Sequence, residues 1–184
     1  METDLNTIIK TRRTIHRYLS NEVDQNIVNR ALESAHFAPN HRKTWPWVFR
    51  VIGAQSKERL IESEFKRKTA NGELSEVERL AFQEKRLNPS LIVVTQKRCE
   101  DPRQAKEDYA AVACAIQNLS LSLHAEGVGS KWSTGSLTRT PHSYESLNID
   151  STKEEIVGFI WYGYAAKVPV VVRPALEEVV LRLS

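Results

Sequence analysis

The sequence predicts an α+β fold, a modest sheet with helices packed on its faces. Extended β-branched runs and helical patterns are mixed along the chain without strict alternation. One helical segment in the middle is apolar nearly all round, as a covered helix would be. With 184 residues, the chain is long enough for one domain with a sizeable core. No repeat, low-complexity tract or long linker divides it, so residues 1–184 are expected to form a single domain.

The first helix starts after Thr3, a plausible cap, and carries the apolar stripe Leu5, Ile8 and Ile9. The helical period takes that stripe on to Arg12 and Arg13, where a core face should continue. Asp24 caps a second helix with one clean face of Ile27, Val28, Ala31, Leu32 and Ala35. Pro39 ends it, Asn40 to Pro46 reads as a loop, and Trp47 to Ile52 reads as a strand. Ser56–Lys68 and Ser75–Arg86 are charged helical segments joined at an Asn71-Gly72 turn. Residues 56–88 therefore form either two solvated helices or a mobile lid over a site. Leu91–Thr95 is a short buried strand. A long helix spans about Gln104 to Glu126, and Gly127 suits its end. Ser130–Thr134 is extended and closed by Gly135. Ile156–Tyr162 is the strongest strand, Val168–Val172 is another extended run, and a short segment lies around Leu176–Leu183.

Composition excludes several classes. Hydrophobic residues make up 41% and charged residues 27%, with a net charge of only +3 and both signs interspersed. No dedicated nucleic-acid surface is indicated. Cys99 and Cys114 lack metal-ligand spacing and suggest no disulfide framework, which fits a reducing, cytoplasmic setting. The polar start METDLNTIIK is unlike a signal peptide. The most apolar helical stretch, Tyr109 to Leu123, holds Gln117, Asn118 and Ser120, and is too short and polar for a membrane span.

No G-x-G-x-x-G follows a strand, and no G-x-x-x-x-G-K, H-E-x-x-H, paired-cysteine or G-x-S-x-G motif is present. A metal site is not expected. Three polar clusters remain. Arg12-Arg13-Thr14, with His16 beyond, is either a basic helix end favourable to the helix dipole or a site for an anion. A buried guanidinium needs an anion, and a phosphate suits the planar fork of arginine. Pro39-Asn40-His41-Arg42-Lys43-Thr44-Trp45-Pro46-Trp47 is either a packed loop with exposed cations or a stiff loop whose tryptophans wall a flat ligand. Gly129-Ser130-Lys131-Trp132-Ser133-Thr134-Gly135 is either a tight connection or a place where backbone N–H groups approach a ligand closely.

In order along the chain, these pieces resemble the FMN-dependent nitroreductase superfamily, in its short single-domain form. RRT stands where that family usually has R-R-S. A-P-N-H-R-K-T-W-P-W is similar to its A-P-S-x-x-N-x-Q-P-W. D-Y-A-A-V-A-C-A-I-Q-N-L is similar to its D-x-A-A-A-x-Q-N-L. G-V-G-S-K-W-S-T-G, I-V-G-F-I-W-Y-G-Y and R-P-A-L-E-E-V-V follow at the expected places.

The resemblance implies a central, mainly antiparallel sheet flanked by helices, in a homodimer with FMN sites at the interface, each built from both chains. Arg12, Arg13 and Thr14 would hold the phosphate, ribityl chain and pyrimidine edge, with Arg173 as a C-terminal phosphate contact. His41, with Phe37 close by, would touch the flavin from the second segment. Trp132, Ser133, Thr134 and Gly135 would line the ring, their N–H groups meeting its N5 and O4 edge. Ser122, Leu123, His124, Ala125, Glu126 and Gly127 mark a place for NADH or NADPH. The implied reaction is ping-pong: hydride passes from NAD(P)H through flavin N5 to a nitroaromatic, quinone or enone, with no obligatory catalytic side chain. Another flavin reaction on the same fold (dehydrogenation, dehalogenation, flavin fragmentation) or a flavin-binding module without turnover is the alternative. The chain departs from the pattern at His16, where the family usually has Arg or Lys. It departs again at Trp45, which replaces Gln, and at Val171 and Val172, which replace basic residues.

Overall fold

The computed structural model of the protein describes residues 4–70 and 72–183. In chain order it contains α1 (Leu5–Thr11), α2 (Gln25–His36), β1 (Trp47–Ile52), α3 (Ala54–Thr69), α4 (Glu76–Phe82), β2 (Ser90–Lys97), α5 (Pro102–Ala125), β3 (Gly129–Ser133), α6 (Pro141–Ser146) and β4 (Glu154–Gly163). The four strands form one sheet in the order β1-β2-β4-β3, and every neighbouring pair is antiparallel.

Local signals set the helix ends. Asp24 caps α2 by accepting from Asn26 N, and Asp101 caps α5 by accepting from Arg103 N, with Pro102 in the first turn. Ser75 and Glu78 form a reciprocal capping box on α4. The cap of α1 is Asp4, whose carboxylate accepts from Thr7 N; the expected cap, Thr3, lies outside the described residues. Asn71 of the expected turn also lies outside them, while Gly72 N donates to Thr69 O at 3.1 Å. Gly127, at φ +77°, closes α5: its N–H reaches His124 O, and Val128 N reaches Leu123 O at 2.9 Å.

Strand alternation divides the apolar residues between two cores. On β2, Leu91 to Val94 are all fully buried, as expected of a strand covered on both faces. Ile92 and Val94 join Ile160 and Tyr162 against α2 and α5, around Val28, Ala31, Val112, Ile116 and Leu119. Leu91 and Val93 join Phe159 and Trp161 on the other face, with Leu60, Ile61, Phe82 and Ile149. The charged segment 56–88 is therefore anchored by apolar residues of α3 and α4. Arg86 adds a bond to Glu64 at 2.7 Å and lies 5.0 Å over the Trp161 ring. The register shifts by one residue at Val94/Thr95, so Val157 is passed over in the pairing with β4.

Three elements differ from expectation. α1 buries no residue, and Leu5 and Ile9 are exposed, so its stripe is not a core face of this chain. α5 buries Ala111, Val112, Ala115, Ile116, Leu119 and Leu123, but Tyr109, Ala110, Cys114 and Gln117 are open to solvent. Val168–Val172 forms no strand and pairs with none among the described residues, with Val170 95% exposed. No helix among the described residues is long and apolar enough to cross a membrane.

Candidate functional site

The site begins where α1 ends. Arg12 N still donates to Ile8 O, but Arg12 itself has turned to an extended backbone (φ −56°, ψ 132°). The arginines thus leave the helix instead of continuing its stripe. The chain then runs beside β3: Thr14 bridges to Ser130, and Ile15 N donates to Ser130 O at 3.0 Å. Ile15 and Tyr18 are buried and pin this strip. The Tyr18 hydroxyl donates to the carbonyls of Ile15 and Trp161, at 2.9 and 3.0 Å. Two clusters far apart in sequence, Arg12–His16 and Trp132–Gly135, are therefore brought onto one strand edge.

The charges there are mostly positive. Arg13 is held by backbone carbonyls, its Nη1 donating to Lys10 O at 2.7 Å and Arg12 O at 2.9 Å. The half-buried Arg12 guanidinium has no hydrogen bond or ion pair to any described residue. Burial, then Arg173, then Arg13 all act against its charge. Arg173 is exposed on the C-terminal segment and faces the same cluster. His16 is held below the ordinary histidine range by burial, then by Lys131 and Lys85. Lys131 is itself pushed down by burial, then by Arg86 and Lys85. Positive charge at this end of the strip is thus supplied by Lys85 and Lys131. Lys131 stands in the third sequence cluster without a charge role, and Lys85 in none, because only the folded sheet sets them opposite His16.

Along β3 the strip turns apolar and then open. Trp132 donates from Nε1 to Val157 O at 3.3 Å, and its indole covers Gly158, where any Cβ would fall inside the ring. Thr134 and Gly135 are exposed, with open space around Gly135. A cleft of about 540 Å³ opens here, lined by Ser133, Gly135, Leu137, Phe159 and the Glu64–Arg86 pair.

The loop after Pro39 is built with strain. Arg42, Lys43 and Trp45 all have positive φ (64°, 54° and 46°) without being glycine. Asn40 Oδ1 accepts from Trp45 N at 2.8 Å, and Thr44 Oγ1 donates to the buried Asp108 at 2.5 Å. Gln104 Nε2 completes Asp108 at 2.8 Å. The rings of His36, Trp45 and Trp47 pack with centroids 5.9–6.0 Å apart, edge-on to Trp47 from the other two, and Phe37 and His41 are exposed. This loop does not join the arginine cluster within the chain. Thr44 touches α5 at Asp108 and Thr11 touches it at His124 (2.9 Å), so the two contacts are about 24 Å apart along the helix.

The segment 122–127 is the C-terminal turn of α5. Leu123 is core, Ser122 meets Ser34, Glu126 pairs with Arg30 at 2.8 Å, and His124 faces Thr11. It presents carbonyl ends, the negative pole of the helix, and Glu126 adds a carboxylate. Among the described residues no group of His, Cys, Asp and Glu could hold a metal ion.

This chain belongs to the Nitroreductase family, whose profile matches residues 9–164. It is 28% identical over 169 residues to a Bacillus subtilis protein provisionally named NAD(P)H nitroreductase YfhC, covering 90% of this chain and 86% of that protein. Among solved structures, a nitroreductase-like family protein from Bacillus cereus superposes with a TM-score of 0.82 at 25% identity, over 100% of this chain and 97% of that one. A nitroreductase-type protein of Desulfovibrio desulfuricans, solved in complex with FMN, superposes with a TM-score of 0.78 at 23% identity, over 100% and 99%. The α+β fold with its antiparallel sheet is that of the family.

Proposed function

We propose that this chain is an FMN-dependent oxidoreductase that takes reducing equivalents from NADH or NADPH and reduces an electron-poor small molecule such as a nitroaromatic, quinone or enone. The observation that carries this proposal is Arg12, a half-buried guanidinium without a partner among the described residues, in a cluster of cations. A phosphomonoester supplies the missing anion. Family membership and the YfhC likeness support the redox class.

Bound FMN would supply the redox chemistry, hydride transfer from the nicotinamide to the acceptor. The chain's own residues bind and orient it. Arg12, Arg13 and Arg173 neutralise the phosphate, and Thr14 adds a hydroxyl. Lys85 and Lys131, around His16, hold positive charge farther along the strip, favouring electron density on the ring. The open backbone from Trp132 to Gly135 offers N–H groups to the ring edge, and the cleft beside Ser133 admits the acceptor. The loop that carries His41 is held at Asp108 and the turn that carries Arg12 at His124, about 24 Å apart along α5. A homodimer resolves this: the loop of one copy would complete the strip of the other. The open face of α5, the bare stripe of α1 and the unpaired valine run supply the apolar surface for it. Cys99 and Cys114, both free and exposed, suit a reducing cytoplasm.

The test is direct. The purified protein should be yellow and should bleach when NADH or NADPH is added without oxygen, recovering colour with a quinone or nitroaromatic. A colourless protein that takes up no added FMN overturns the proposal.

A further inference from the structure

His124 is the polar residue at the arginine cluster that the FMN assignment leaves unused. Its Nε2 lies 2.9 Å from Oγ1 of Thr11. That hydroxyl already donates its one proton to Thr7 O at 2.6 Å, so towards His124 it can only accept. Nε2 must therefore carry a hydrogen, and Nδ1 is the atom that titrates. Nδ1 has no hydrogen-bond partner among the described residues.

The surroundings of the ring are known on each side. From α1 and the strip beyond it come Thr11, Arg12 and Arg13, and Arg173 stands against Arg12. From α2 come Ser34, bonded to Ser122, and Arg30, tied to Glu126 at 2.8 Å. On α5 itself the nearest acid is that same Glu126, already paired. Burial, then Arg12, then Arg13 hold the imidazole below the ordinary histidine range, so in the free protein it is neutral at pH 7. A dianion seated on the two arginines reverses the local field.

We propose that His124 is a further phosphate ligand, taking up a proton on Nδ1 as the dianionic phosphomonoester of FMN settles on Arg12 and Arg13, and binding it as the imidazolium. The proton comes from solvent, and no covalent bond changes. This rests on the assignment of Arg12 and Arg13 to the FMN phosphate. It makes cofactor retention dependent on pH through one identified side chain.

His124→Gln keeps a donor towards Thr11 but cannot take a charge. Dissociation constants of FMN and riboflavin are measured by flavin fluorescence for the full chain and this variant between about pH 5.5 and pH 8, across the histidine range. The second ionisation of the FMN phosphate affects both proteins alike and cancels in their ratio. The ratio of wild-type to variant affinity for FMN should grow as pH falls, by about tenfold for each unit by which binding raises the histidine. Riboflavin should show no such growth. In the wild-type chain, the His124 NMR titration should move upward with FMN and stay in place with riboflavin; this measurement needs no variant. Binding of FMN with a flat ratio overturns the inference and leaves the cofactor proposal standing. A shift seen only when NADP⁺ is added to the FMN-loaded protein overturns it too, by giving the site to the nucleotide's 2′-phosphate. Failure to bind FMN at all overturns both.

Discussion

The role proposed for Arg12 rests on an imbalance that no neighbouring described residue corrects. A partly desolvated cation costs folding free energy unless an anion meets it. Among the described residues, Arg173 and Arg13 act against its charge. The same substitution should therefore have opposite signs in the two states of the protein. Arg12→Ala should leave the flavin-free chain as stable as wild type or more so, by thermal melting. It should also weaken FMN binding by about 10–100-fold, the worth of one hydrogen bond to a charged group. Arg42→Ala is the contrast. Arg42 is exposed and makes no bond to a described residue, so it should cost FMN affinity less. Equal weakening in both variants would contradict the phosphate role of Arg12.

Between elements, one polar cluster ties three adjacent strands. Arg50 on β1 donates to Thr95 on β2 at 2.8 Å and grips Glu154 on β4 with two bonds of 2.8 Å, and Thr95 also donates to Glu154. The Arg50 fork holds the Glu154 carboxyl below the usual glutamate range, against burial that would raise it, with Thr95 helping. A depressed folded value means that this stability is present above the unfolded glutamate value and is lost as pH falls through the folded one. Glu154→Gln should therefore cost about 1.5–3 kcal/mol in urea unfolding at pH 7. The gap from wild type should close below about pH 4, under the ordinary glutamate range; a gap constant across that range would refute the linkage. Little of this tie is visible in the sequence, because Arg50, Thr95 and Glu154 meet only through strand order. The strands themselves were legible: Leu91–Val94 is a continuous apolar run because both faces are covered, and α2 shows one clean stripe because one face is. α6 was not legible, since its six residues bury only Ser143 and so carry no apolar period. The arginine cluster could be read from local pattern, but that Lys85, Lys131 and His124 gather beside it could not, because each is placed by a different element.

At the scale of the whole molecule, the candidate site is divided along α5. The arginine strip lies near His124, and the strained loop lies near Asp108, about 24 Å away along the helix. The proposed homodimer would bring the two ends together, and α1, α5 and the valine run offer exposed apolar surface for it. In a two-fold dimer, each site would take Arg12 from one chain and His41 from the other. That arrangement makes a prediction that a site built within one chain does not share. Arg12→Ala and His41→Ala should each lower FMN binding when prepared alone. If the two variants are unfolded, mixed in equal amounts and refolded together, half the dimers are heterodimers. Each heterodimer then has one site with both lesions and one site with neither. About a quarter of all sites should regain wild-type FMN affinity, read as a tight phase in a fluorescence titration. Sites confined to single chains would give no such phase, because every chain carries a lesion. Sedimentation of the wild-type protein checks the premise, since a flavin-loaded monomer would remove the need for a second copy.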